Sequence, residues 1–254
     1  MKLDLAPGSL GPGISQNEVH LWVPLLSSGP FSEFYKSHES ILSQDERDRY
    51  LHFSSEESQQ LFFISRVFIR KVLSLYADLQ PHEWKFTRTL HGRPEIQNSL
   101  EKPFSFNLSH SKGKMICAVS SFAEVGVDLE TLNRKTDMRK IARRVFSQEE
   151  WSLWEGLSEE AKRSRFYQLW TLKESYIKAR GMGFNIPLDA ISFQISPLGP
   201  DRESPFIGID LRVKDDPTSW TFNLFKIGET HQGAIAVRTG PDCNIQLILR
   251  KCRI

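Results

Sequence analysis

At 254 residues the chain is long enough for one large domain or two small ones. Its 39% hydrophobic and 25% charged residues are the proportions of a globular protein that buries a core without staples. Three cysteines without metal-ligand spacing argue against a disulfide framework, and a formal net charge of +2 gives no reason to expect nucleic acid as a partner. No apolar run approaches the roughly 20 residues of a membrane helix, and the opening MKLDLAPGSLGPG lacks an apolar signal core. A cytoplasmic protein without membrane contact is therefore expected.

The first 18 residues, rich in Gly, Pro and Ser, are expected to lie loosely on the surface. A strand is predicted over Val19–Leu25. Ser43 with Glu46, and Ser54 with Glu57, form capping boxes that start two helices. In the second helix Leu61, Ile64, Phe68, Val72 and Leu75 recur at helical spacing and should face a core. Strand signals follow at Trp84–Thr89, Phe104–Ser109, Met115–Ser120 and Val125–Glu130, the first two separated by the turn His91-Gly92-Arg93-Pro94. A basic helix is predicted over Met138–Phe146, and Ser147 with Glu150 forms a third capping box. Ser158 caps a helix carrying Trp170, Lys173, Glu174 and Lys178, which should stop at Gly181. The tail alternates turns with strands at Ile191–Ile195, Ile209–Val213, Trp220–Ile227, Ala234–Arg238 and Ile245–Leu249. The order of elements suggests two similar α/β halves, 19–122 and 123–254, after a loose segment over 1–18.

Asp128 and Glu130 sit two apart on a predicted strand, so both carboxylates point to one face. Two negative groups that close repel unless a cation lies between them, and hard oxygen ligands suit magnesium; a strand end dipping into solvent also explains them. Glu174 and Lys178 are four apart on a helix, which reads equally as an exposed ion pair or as a pair half-buried beside Trp170 and Ile177. Phe106-Asn107-Leu108-Ser109-His110-Ser111 brings hydroxyls and an imidazole to a strand end, groups able to meet phosphate. Glu150 is fully accounted for by its capping box. Between Arg134 and Arg144 six basic residues face one acid, which is either a solvated helix face or a docking surface for an acidic partner.

In this order, Gly92-Arg93-Pro94, the Phe106–Ser111 block, Gly126-Val127-Asp128-Leu129-Glu130, and Trp170-Thr171-Leu172-Lys173-Glu174 with Lys178 resemble the phosphopantetheinyl transferases of the Sfp type. The likeness runs from about Val19 to Ile195. It implies an α+β (α/β) monomer built as a pseudo-dimer, each half a small, mainly antiparallel sheet packed on a long helix, with coenzyme A between the halves. It implies that Asp128, Glu130 and Glu174 hold Mg2+ and that Arg49, Arg93, Ser109, His110, Asp128 and Lys178 contact coenzyme A. Glu174 and Lys178 would be catalytic, in a transfer of the phosphopantetheine arm to a serine of an apo acyl or peptidyl carrier protein (holo-acyl-carrier-protein synthase activity). The carrier would dock on Arg134–Arg144. The basic residues that this family carries around the end of the first short helix and the start of the long one are thinned here: Arg47, Arg49 and Arg66 remain, with His52 and Gln60 in places where a base is expected. A module that binds coenzyme A or a carrier without transfer, and a regulatory protein docking through its basic helix, are the competing readings.

Overall fold

The computed structural model describes residues 13–122, 124–133, 137–195, 205–210, 212–240 and 243–254, without the side chains of Phe184 and Phe206. The predicted loose segment thus lies mostly outside the described residues, as do Arg134 and Lys135. The chain begins with strand β1 (Glu18–Leu25) and helices α1 (Phe31–His38), α2 (Gln44–Leu51) and α3 (Glu56–Leu73). Strands β2 (Phe86–Arg88), β3 (Pro94–Ile96), β4 (Ser105–Ser111), β5 (Lys114–Ser120) and β6 (Val125–Thr131) follow. Helices α4 (Met138–Val145), α5 (Gln148–Glu155) and α6 (Glu159–Arg180) lead to β7 (Ile191–Gln194), β8 (Phe206–Ile209), β9 (Trp220–Ile227), β10 (His231–Arg238) and β11 (Gln246–Arg253).

Local chemistry sets most of these boundaries. Ser43 and Ser147 close full capping boxes with Glu46 and Glu150, and Ser158 accepts the Ala161 N–H at the start of α6. Gly181 ends α6 in the left-handed conformation, φ 63°, which glycine adopts without strain. α3 departs from expectation: Ser55, not Ser54, is the cap, its hydroxyl accepting from the Ser58 N–H at 3.2 Å. The strand expected at Ile209–Val213 lies earlier, at Phe206–Ile209, because Val213 turns back to bond the Asp210 carbonyl at 2.9 Å.

Two sheets carry the architecture, in the orders β11-β1-β5-β4 and β6-β10-β9, with antiparallel β2-β3 and β7-β8 pairs beside them. Pairing is antiparallel except for β1 with β11. Alternation along the strands sorts side chains into layers. On β5, Met115, Cys117 and Val119 face the core under α3, while Ile116 and Ala118 face a core between the two sheets. On β10, Ala234 and Ala236 face the core under α6, while Ile235 and Val237 turn to the intersheet core. The result is helix α3, sheet, sheet, helix α6, an α+β arrangement of small, mainly antiparallel sheets on helices. The final strand crosses over: β11 pairs along β1, and Cys252 and Ile254 enter the core under α3. A boundary assigning all of 123–254 to a second half leaves this return out.

Candidate active site

β6 faces two ways. Val125, Val127 and Leu129 enter the intersheet core, so Gly126, Asp128 and Glu130 turn toward α6. Gly126 lets that helix come close: a Cβ there would lie 2.1 Å from the Ser175 carbonyl oxygen and 2.3 Å from the Ala179 nitrogen. No side chain fits such a gap. One step along the same face, the helix presents Trp170, Glu174 and Lys178 to Asp128 and Glu130. The sequence reading that placed both carboxylates on one face of the strand matches the direction of these side chains.

Lys178 Nζ donates to Asp128 Oδ1 at 2.6 Å, Ser109 Oγ at 2.9 Å and the Val127 carbonyl at 3.2 Å. Ser109 Oγ donates to Asp128 Oδ1 at 3.1 Å and accepts from the Leu129 N–H at 3.1 Å. Glu130 is held by Trp170, whose indole N–H reaches Oε1 at 3.3 Å, and by Ser111, whose hydroxyl reaches Oε2 at 3.2 Å. Two buried oxygens, Asp128 Oδ2 and Glu174 Oε1, have no hydrogen-bond partner, although such groups cost about 1–3 kcal/mol when left unmet. Glu174 is correspondingly perturbed: burial, then the charges of Asp128 and Glu130, push its carboxyl from 4.5 to about 7, Lys178 opposing.

Among the described residues, no three or more His, Cys, Asp and Glu side chains converge as a complete cation cage. The donor chemistry nonetheless suits a hard divalent ion. Magnesium takes one or two protein carboxylates and fills its shell with water and phosphate, and the two orphaned oxygens are hard, buried and anionic when ionised.

A basic surface lies beside the carboxylates. Arg66 on α3 stacks over Phe62 at 5.1 Å, with Arg49 over the same ring at 5.5 Å. Desolvation and the neighbouring Arg88, Arg49 and Arg70, against Glu46, lower the Arg66 guanidinium to about 10, and its buried Nε has no partner. His110 is on the exposed side of β4; loss of hydration, then Lys178 and Arg66, lower its pKa. The two guanidiniums and the imidazole are donors that suit an anion. Arg93 sits apart from them: its guanidinium donates to the Ala179 carbonyl, and at 3.5 Å to that of Val125, pinning the Gly92-Arg93-Pro94 turn to the end of α6.

Sequence reasoning counted Arg66 among the remaining bases but named only Arg49 of them as a coenzyme A contact; an arginine inside the apolar run LFFISRVFI was the available signal for the other. It also stopped short with Glu150. That residue does close a capping box, but it is buried and pairs with the buried Lys173 at 2.7 Å while accepting from the Phe193 N–H at 2.8 Å. Lys173 donates also to the Leu188 carbonyl at 2.9 Å and to that of Ile191. The lysine beside Glu174 therefore clamps the segment after α6 and does not face the carboxylates.

The chain belongs to the 4'-phosphopantetheinyl transferase superfamily. The profile of that superfamily matches residues 124–237, and the profile of the 4'-phosphopantetheinyl transferase N-terminal region matches 28–123. Its relatives include the 4'-phosphopantetheinyl transferase HetI of Nostoc, 34% identical over 73% of this chain and 78% of that protein. Another is the 4'-phosphopantetheinyl transferase Sfp of Bacillus subtilis, 31% identical over 65% of this chain and 75% of that protein. A third, the human L-aminoadipate-semialdehyde dehydrogenase-phosphopantetheinyl transferase, is 27% identical over 78% of this chain and 67% of that protein.

Proposed function

We propose that the protein transfers 4'-phosphopantetheine from coenzyme A to a serine of an apo acyl or peptidyl carrier protein, releasing adenosine 3',5'-bisphosphate, in a Mg2+-dependent reaction. The observation carrying this reading is the pair of buried, partnerless oxygens on Asp128 and Glu174 beside Lys178. Asp128 and Glu174 would hold the ion, with Glu130 completing the acidic set. When bound, the ion supplies positive charge against the phosphate oxygens in the transition state.

The chain's own residues account for the rest. Arg66, Arg49 and His110 offer guanidinium and imidazole donors suited to the 3'-phosphate of coenzyme A. Ser109 is a poorer phosphate contact than its motif implies, because its hydroxyl already accepts from Lys178 and Leu129 and donates to Asp128, which fills its capacity. Lys178 stabilises charge on the pyrophosphate by exchanging one of its present acceptors for a phosphate oxygen. Glu174 accepts the serine proton at the oxygen it does not give to the ion. Arg93 acts on the nucleotide indirectly, by fixing the turn on α6.

The carrier docks on the basic face of α4, where Lys140, Arg143 and Arg144 are exposed. Arg139 there pairs with Glu155. Beside this face an open pocket of about 440 Å³, lined by Ile141, Val145, Trp170, Ile186 and Leu188 together with Arg144 and Asp189, adjoins Glu130 through Trp170. Charge of this sign suits the acidic surface of a carrier.

The test is the intact mass of an apo carrier incubated with the protein, coenzyme A and Mg2+. A gain of one phosphopantetheinyl group, abolished by chelation, is the expected result. Binding of coenzyme A or carrier without any mass gain across a panel of carriers would favour a non-catalytic module instead.

A further inference from the structure

β4 and β6 belong to different sheets, and side chains join them. Asn107 Oδ1 accepts from the Val127 N–H at 2.9 Å, Ser109 Oγ from the Leu129 N–H at 3.1 Å, and Ser111 Oγ from the Thr131 N–H at 3.1 Å. The constant offset means that the strands run parallel, with every second side chain of β4 replacing a backbone carbonyl. The rungs differ in one respect. A hydroxyl accepts and donates at once, so each serine hands its own hydrogen to the carboxylate preceding the N–H it caps: Ser109 to Asp128 and Ser111 to Glu130. Asn107 passes nothing to a carboxylate.

We infer that Ser111 is a positioning residue that fixes the Glu130 carboxylate for divalent-ion binding. Its freedom is restricted from three sides. The Lys112-Gly113 turn, with φ 31° and 76°, joins Ser111 to its partner Lys114 in the two-residue geometry that sets hairpin register. The Ser111 carbonyl accepts from Nε2 of the buried His231 at 3.0 Å, tying the residue to β10. With Thr131 N–H on its acceptor side, the Ser111 hydrogen is directed to Glu130 Oε2. Trp170 holds the other oxygen, so the carboxylate is steered from both sheet and helix. Partners of this kind orient ligands and tune affinity.

This inference rests on the proposed ion site, and the test separates the two. Mn2+ serves as the probe, its binding to the full-length protein measured by electron paramagnetic resonance. Ser111→Ala is expected to weaken Mn2+ binding about 10- to 100-fold, and Ser111→Thr to restore it. Asn107→Ala removes a rung of the same junction; it is expected to lower the urea midpoint while leaving Mn2+ affinity unchanged, which a merely structural ladder would not do. Should Ser111→Ala fail to fold, Ser111→Cys, with its weak S–H donor, keeps the volume and is expected to weaken Mn2+ binding. Wild-type Mn2+ affinity in a folded Ser111→Ala or Ser111→Cys protein overturns the role of Ser111 alone. No Mn2+ binding by the wild type overturns the ion site and this inference together.

Discussion

Replacing Gly126 by alanine tests whether the contact of β6 with α6 creates the site. The new methyl would lie 2.1 Å from the Ser175 carbonyl and 2.3 Å from the Ala179 nitrogen, where ordinary contact begins at 3.4 Å. Both obstacles are backbone atoms of a helix whose other face is buried, so no side chain can swing away. α6 must retreat from β6 by roughly 1 Å, and overpacking of this kind costs about 1–3 kcal/mol. The retreat moves Glu174 and Lys178 away from Asp128, since all three hang on the same two elements. A misplacement of about 1 Å at reacting groups lowers rate about 10²-fold. Urea unfolding gives the first quantity, and initial rates of phosphopantetheine transfer to a carrier give the second. A folded Gly126→Ala protein with wild-type turnover would refute the argument that this approach sets the geometry.

Titration of Glu174 gives a signed effect on stability. Folded and ion-free, it keeps its proton to about pH 7, against 4.5 for an ordinary carboxyl; between those values the folded chain binds the extra proton, so stability falls as pH rises from about 4.5 through about 7. The difference in urea midpoint between wild type and Glu174→Gln should trace that decline in chelator, and a flat difference would contradict it. Breaking the buried Lys173–Glu150 pair by Lys173→Met should cost about 3–5 kcal/mol, because a carboxylate is left buried and uncompensated. Adding Glu150→Gln should recover part of that loss, and strictly additive losses in unfolding free energy would exclude the coupling. Reversing Arg139 and Arg143 to Glu should raise KM for an acidic carrier with little change in coenzyme A affinity; an unchanged KM removes the docking role of α4.

Much of this was legible because it is written locally. Ser43, Ser147 and Ser158 announce helix starts through hydrogen bonds that span three residues, and the carboxylate face of β6 follows from a period of two. α1 was illegible for the converse reason. It has no side-chain cap and stands on the packing of Phe31, Phe34 and Tyr35 against Phe63, a contact made only once α3 is in place. The parallel return of β11 to β1 joins residues more than two hundred positions apart, which no window of sequence contains. Glu150 shows a limit of another kind: a sufficient local reason, the capping box, concealed a second role set by Lys173. Ser109 is a similar case. Its motif suggests a phosphate contact, but tertiary partners fill its hydroxyl.

Calorimetric titration of Mg2+ into the protein with coenzyme A present tests the ion site most directly. Binding to the wild type, lost in Asp128→Asn and in Glu174→Gln while both variants remain folded, is the predicted result. Undiminished Mg2+ binding in those two variants would show that the orphaned oxygens of Asp128 and Glu174 are not where the ion is held.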